Sequence, residues 1–442
     1  MLSQLDARID DKRQDLVALT QALIRIPTIN PPGDAYTPCV ELVGERLRKR
    51  GFEVEYIRAF DTPGDSDAFP RINVVARREG GRPGPTVHFN SHIDVVDVGH
   101  GWTVDPFAGT VREGKVYGRG ACDMKGGLAA SIIAVEAYME AMPSHPGAVE
   151  ISGTVDEESG GFGGVAYLAS KGLFSKPRVD HVIIPEPLNK DRICLGHRGV
   201  WWAEIETHGT QAHGSMPFLG DSAIRHMGAA LNAFEAQLYP ALAEKHTDMP
   251  VVPEGAKQST LNFNSIHGGE AAIGAGGKPD DYDGLPSPNV AESCRLILDR
   301  RFLIEEDITI VKREVTDILD GLKNDREKFD YTIRDLMEVL PTMTERDAPV
   351  VQAVREGIET VLGKPPEYVI SPGTYDQKHI ARIGHLHDCI AYGPGILNLA
   401  HMADEYVGID DMVESAKVMA RAIAALHGHT GYTKRDLSCH DG

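Results

Sequence analysis

The chain has 442 residues, 42% hydrophobic and 25% charged, and its 65 Asp and Glu against 45 Lys and Arg leave a formal net charge of −20. That acidity argues against nucleic acid and anionic membrane as partners, and no run of about 18 apolar residues predicts a membrane-spanning helix. At roughly 100–200 residues per domain, the length predicts two to three domains.

The N-terminal stretch MLSQLDARIDDKRQDL is charged throughout and lacks the apolar centre of a signal peptide. From Asp15, DLVALTQALIRI has helical apolar spacing, and PTINPPGD stops it. VELVGERLRKRGFEVEYI reads as helix, glycine stop and strand, and RINVVARR and PTVHFNSH as two further strands. MKGGLAASIIAVEAYMEAM, from Met124, is the strongest helical segment, and AVEISGTVDEE and RVDHVIIPEP follow as strands. Strands alternating with helices predict a mostly parallel sheet covered by helices on both faces.

From about Gly199 the pattern changes. GVWWAEIETHG alternates like a half-exposed strand, SAIRHMGAALNAFEAQL is helical, STLNFNSIHGG and AESCRLILDRRF are strands, TIVKREVTDILDGLK is helical and FDYTIRDLMEVL is a strand. This predicts a small α+β unit with an antiparallel sheet, containing a mobile loop between Gly268 and Pro288. From Pro341 the first pattern returns, with PVVQAVREGIETVLG helical, HDCIAYGPG a strand into a turn, and DDMVESAKVMARAIAALHG a closing helix before a polar tail. The expected fold is therefore an α/β catalytic domain of residues 1–198 and 341–442, interrupted by an inserted α+β lid of residues 199–340. The cysteines, Cys39, Cys122, Cys194, Cys294, Cys389 and Cys439, form no C-x-x-C pair. That predicts reduced thiols and a cytoplasmic protein.

In an open α/β sheet, ligands bind beyond the carboxyl ends of the strands. Here one strand ends in His92 and Asp94, one in Asp156, Glu157 and Glu158, and one in Glu186; another leads to a loop carrying His401, and Asp123 precedes the long helix. Carboxylates gathered this closely repel one another, with no lysine or arginine among these endings, and cations relieve the repulsion. Imidazole and carboxylate without thiolate suit zinc, and also manganese or cobalt. Two histidines and three carboxylates suffice for two metals if one carboxylate bridges. Asp94 is expected to accept the other ring N–H of His92. Adjacent Glu157 and Glu158 face different ways, so one ligates while the other takes a proton from metal-bound water. Singly, each ending has an ordinary explanation as a buried polar pair or a solvated turn; their concurrence points to metal. Cys122 reads as a small buried side chain, and Trp201 with Trp202 as a sheet surface or interface.

The motifs SHIDVV, GRGACDMKGG, TVDEESGG, IPEP, GTQAHGSMP and YGPGILNLAHMADEYV, within a stretch from about residue 10 to about 425, resemble the co-catalytic metallohydrolase family of acetylornithine deacetylase, succinyl-diaminopimelate desuccinylase, aminoacylase and glutamate carboxypeptidase. The resemblance implies that His92 and Glu186 bind one metal, with Asp94 behind His92. It implies that Glu158 and His401 bind the other, that Asp123 bridges and is followed by a cis peptide, and that Glu157 is the general base and acid. It further implies a lid that dimerises, from which His213 reaches the partner's site and stabilises the oxyanion. Asn289 and Arg301 match positions that hold a substrate carboxylate, a task suited to a forked guanidinium. Strand alternation sets Arg300 and Arg301 on opposite faces, and Arg301 is preferred. Gly373 and Thr374 match a substrate-facing loop. Where the family commonly reads Gly-Thr-Asp, Tyr375 stands between Thr374 and Asp376, to pack, line an acyl pocket or stack on an aromatic substrate.

The implied activity is hydrolysis of the amide C–N bond of a small carboxylate-bearing substrate, an N-acyl amino acid of the deacetylase or desuccinylase type, by a metal-bridging water activated by Glu157. The alternatives are an aminohydrolase acting on an aromatic amine, and a dipeptidase or carboxypeptidase. A non-catalytic, metal-stabilised binding protein would lack a ligand or Glu157, and none is missing.

Overall fold

The computed structural model describes residues 2–269 and 288–429. Most of the expected mobile loop and the polar tail with Cys439 lie outside the described residues. Two compact units are formed. The first runs through Gly196 and resumes as Met343–Val369 and from Tyr375 onward; the second comprises His197–Thr342 with Ile370–Thr374. The five residues Ile370–Thr374, which belong by sequence to the returning segment, group with the second unit because backbone bonds tie them there. Ile370 N–H donates to the Pro250 carbonyl at 2.9 Å, and the Ile370 carbonyl accepts from Val252 N–H at 3.2 Å.

In the first unit, β1 (Glu53–Arg58), β2 (Ile72–Glu79), β3 (Gly81–His92), β4 (His145–Thr154), β5 (His181–Ile184), β6 (Arg192–His197) and β7 (Cys389–Ala391) stand in the order β1-β2-β4-β3-β5-β7-β6. The four central strands β4, β3, β5 and β7 run parallel. The flanking pairs β1–β2, β2–β4 and β6–β7 are antiparallel. The parallel centre reads as continuous apolar runs because both its faces are covered: Val87, Phe89, Val149, Ile151, Val182, Ile183 and Ile184 are all buried. Helix α1 (Gly126–Ala141) is buried at 14 of its 16 residues, so it lies within the core rather than on its surface. It begins at Gly126 rather than Met124, because Asp123 and Met124 hold non-helical backbone. A Cβ on Gly127 would meet the Pro185 carbonyl oxygen at 2.0 Å, so glycine is what lets the helix start approach the chain leaving β5. This contact brings the loop of Asp123 beside Glu186.

Three short strands, Thr110–Arg112, Lys115–Tyr117 and Tyr406–Gly408, form a separate small sheet. At three residues each they carry no readable alternation. A helix at Leu2–Asp11, inside the stretch read only as charged, buries Leu5 and Ile9 one turn apart.

The second unit holds a four-stranded antiparallel sheet in the order Thr260–Gly268, Ser293–Phe302, Gly199–His208, Asp330–Val339. Helices Ala223–Ala233 and Ile308–Asp325 cover it over a core that includes Ile205, Met227, Leu298, Val315 and Leu319. Trp201 belongs to that core rather than to a surface, its Nε1–H donating to Asp335 Oδ1 at 2.7 Å. Among the described residues, no helix is long and apolar enough to cross a membrane.

Candidate metal centre

The carboxyl ends of the parallel strands in the first unit carry the predicted donors into one place. His92, the last residue of β3, donates from Nδ1 to the Asp94 carbonyl oxygen at 3.0 Å. That bond leaves Nε2 directed at Asp123 Oδ1, 3.0 Å away, with Glu186 Oε1 at 3.9 Å. On the other side of Asp123, His401 Nε2 lies 3.6 Å from Asp123 Oδ2 and 3.1 Å from Glu158. Two donor triads result, His92–Asp123–Glu186 and Asp123–Glu158–His401, each with its ligating atoms within 4.8 Å of one another. Asp123 belongs to both and offers one oxygen to each side, as a bridging carboxylate must. The Asp123–Met124 peptide is cis.

The expected partnership of Asp94 with the His92 ring is not what the side chain makes. Its carboxylate stands 3.6 Å from His92 Nδ1, beyond hydrogen-bonding distance. It accepts instead from the backbone N–H of Glu157 at 3.2 Å, from that of Glu158 at 3.1 Å and from Asn30 Nδ2 at 2.9 Å. The turn after β4 presents those two N–H groups because Asp156 adopts a left-handed conformation, φ +63°. A carboxylate satisfied by three donors there has no reason to turn to the ring. Asp156 itself faces away, paired with Arg71 at 3.1 Å and Tyr36 at 2.9 Å.

The electrostatics fit a cation site. Burial and the charge of Asp123 push Glu158 up to about 7, and burial with the same neighbour raises Glu186 well above the usual carboxylate range. The hydrogen bond to Glu158 lifts His401 to about 9. Without cations this cluster holds together by binding protons; divalent cations remove the need. The donor set of imidazole nitrogen and carboxylate oxygen suits zinc or manganese. Cys122 is no part of it, its thiol donating to the Ile396 carbonyl oxygen at 3.2 Å.

Beside the triads, Glu157 Oε1 accepts from Lys378 Nζ at 3.0 Å. A lysine therefore does stand among the acidic strand ends, contrary to expectation. It arrives on helix Gln377–Arg382, 221 positions along the chain, where strand-end reading has no view of it. Asp376, at the start of that helix, accepts from Asn90 Nδ2 at 3.0 Å; burial and the charge of Glu157 push it up to about 7.

The other predicted residues lie in the second unit, Tyr375 excepted. His213 and Asn289 are joined by an antiparallel bridge. His213 Nδ1 accepts from Ser215 N–H at 3.1 Å, so the proton of its neutral ring sits on Nε2. Arg300 is fully buried and donates to Glu306 at 2.7 Å, whereas Arg301, on the opposite face, makes a bidentate pair with Asp299 at 2.7 and 3.0 Å. Gly373 and Thr374 lie in the segment Ile370–Thr374. Sequence reading passed over Arg198, whose Nε donates to the Pro372 carbonyl at 3.2 Å. Burial and the charge of Arg301 push it down to about 10. Tyr375 belongs to the first unit and is 5% exposed, its hydroxyl bonded to Gln377 and 3.6 Å from Cys194 Sγ. It packs in the interior, so the one feature that pointed to an aromatic amine is buried.

The profile of peptidase family M20/M25/M40 matches residues 88–425. A succinyl-diaminopimelate desuccinylase from Nitrosospira multiformis is 30% identical over 421 residues, 93% of this chain and 98% of that protein. Human carnosine dipeptidase 1 matches with a TM-score of 0.73 at 18% identity, over 97% of this chain and 99% of its own. A metallo-carboxypeptidase from Sulfolobus solfataricus matches with a TM-score of 0.73 at 19% identity, over 93% and 99%. At these identities the two solved structures share the fold.

Proposed function

The chain belongs to peptidase family M20/M25/M40, a family of metal-dependent hydrolases, and from that premise we propose that it cleaves the amide C–N bond of a small N-acyl amino acid of the succinyl or acetyl type. The observation that carries this reading is the pair of donor triads sharing Asp123, with Glu157 alongside. The near full-length similarity to a protein named as a desuccinylase supports the acyl amino acid.

In this reading His92, Asp123 and Glu186 hold one divalent cation and Asp123, Glu158 and His401 a second, zinc by preference, manganese or cobalt otherwise. When bound, the cations acidify water and polarise the scissile carbonyl. Glu157, held at one oxygen by Lys378, takes the proton of the attacking water on the other and hands it to the departing nitrogen. The products are a carboxylic acid and an amine. Asp94 keeps the Glu157–Glu158 turn in place through its two N–H groups. Arg301 exchanges Asp299 for the substrate carboxylate, and Asn289, Gly373 and Thr374 of the same unit are further substrate contacts. His213 donates its Nε2–H to the oxyanion of a partner subunit. Exposed Phe218, Leu219, Ile224 and Ile266 on the second unit support a homodimer that covers them. Cys39, Cys122, Cys194, Cys294 and Cys389, which form no disulfide among the described residues, fit the cytoplasm.

The test is a panel of N-succinyl, N-acetyl and N-formyl amino acids, dipeptides and aminobenzoates, offered to protein reconstituted with zinc, manganese or cobalt. Amine release from an acyl amino acid is expected. Turnover confined to dipeptides, or ammonia from aminobenzoates, would overturn the substrate class.

A further inference from the structure

We infer that Arg119 and Glu405 are a positioning pair that holds the shared Asp123 and, through His401, chiefly builds the second side of the centre, the His92 ring being held by the sheet. The inference rests on the two-cation reading above.

Glu405 is fully buried, and its two oxygens are divided between two tasks. Oε1 accepts from the backbone N–H of Cys122 at 2.8 Å and of Asp123 at 3.0 Å. Oε2 accepts from Arg119 Nη1 at 2.6 Å. The guanidinium, 1% exposed, turns its remaining Nη donors to carbonyl oxygens, while its buried Nε makes no hydrogen bond among the described residues. Nη2 donates to His401 at 3.1 Å, to Val98 at 3.2 Å and to Asp97 at 3.2 Å, and Nη1 also donates to Met402 at 3.2 Å. One buried ion pair therefore fixes the backbone of the shared carboxylate at one end and of the second-site histidine at the other.

His401 needs that support. It sits on a loop in the left-handed region, φ +65°, unusual for a residue with a Cβ, and its side chain is 49% exposed. Packing does not hold the ring; the carbonyl grip of Arg119 sets where its backbone stands. His92 is placed differently, at the end of a strand paired on both sides, its ring fixed by the Asp94 carbonyl. A buried ion pair is costly to desolvate and is weak evidence for stability by itself. Its geometry here joins the carboxylate common to both triads to His401, which belongs to the second alone.

The test counts zinc ions per chain by equilibrium dialysis and metal analysis. Arg119→Met alone would strand a buried carboxylate, so the principal variant is Arg119→Met with Glu405→Gln, which removes both charges together. The wild type is expected to bind two ions. The double variant is expected to bind one at near wild-type affinity and the second about 10–100-fold more weakly, as when a ligand's supporting partner is removed. Adding His92→Ala to the double variant should remove the remaining ion, and Arg119→Lys should restore part of the second. Glu136→Gln breaks a buried ion pair elsewhere with Arg46 and serves as a stability control that keeps both ions. A folded double variant that keeps two ions at wild-type affinity, or loses both, overturns the inference. A wild type that binds fewer than two ions defeats the two-cation reading and this inference with it.

Discussion

Lys378 Nζ and Glu157 Oε1 stand 3.0 Å apart, both side chains nearly buried, joining residues 221 positions apart in the chain. The pair fixes one oxygen of the carboxylate that the account uses as base and leaves the other for the water. Lys378→Met is therefore expected to lower kcat by about 10–100-fold, the scale of a misplaced catalytic group, with KM and metal content little changed. Lys378→Arg should recover part of the loss. A rise in KM with unchanged kcat would make Lys378 a substrate contact instead.

Asp94 grips the turn of Glu157 and Glu158, and its carboxylate does not reach the His92 ring. Asp94→Ala should then weaken the cation held by Glu158 and His401 about 10–100-fold, the range for a lost supporting contact, and lower turnover through Glu157. The ion on the His92 side should bind nearly as before. Zinc titration of the variant separates the two, and selective loss on the His92 side would contradict this placement.

Tyr375 closes an interior contact with Gln377. Tyr375→Phe is expected to cost stability of about 1–2 kcal/mol, the price of an unsatisfied buried partner, and to leave KM and the ranking of acyl groups unchanged. Denaturant unfolding and the substrate panel check both halves. A changed acyl preference would return Tyr375 to the substrate.

His427 is buried with both ring nitrogens engaged: Nδ1 accepts from Tyr138 OH at 2.8 Å, and Nε2 donates to the Pro85 carbonyl at 3.1 Å. Burial and the charge of stacked His145 push it down from 6.5 to about 4. Below 6.5 the unfolded chain takes up this proton and the folded one resists it. Stability therefore falls as pH falls from 6.5 toward 4, by about 3 kcal/mol for this one group. His427→Gln preserves a donor and an acceptor and does not titrate, so its unfolding free energy should fall less steeply over that window. Parallel curves would contradict the assignment.

The five residues of the two triads could be picked out because His92, Asp123, Glu158 and Glu186 sit at or beside a strand end or a helix start, and His401 on the loop beyond β7, where position along the chain and position in the fold coincide. Glu186 follows β5 and His92 ends β3, so the parallel order of the sheet brings them together without further information. Lys378 and the Arg119–Glu405 pair were not legible. Their partners stand 221 and 286 positions away, and spacing carries no distance across such separations. The direction of the Asp94 side chain was missed for another reason. It depends on the left-handed backbone of Asp156, a non-glycine residue that gives no composition signal. Strand alternation did separate Arg300 from Arg301, because a two-residue period is fixed by the pleat alone.

Anomalous diffraction at the zinc edge from zinc-loaded crystals tests the central claim most directly. The account predicts two peaks about 3.5–4 Å apart, one bounded by His92, Asp123 and Glu186, the other by Asp123, Glu158 and His401, with one Asp123 oxygen on each. A single peak, or peaks away from Asp123, would contradict it.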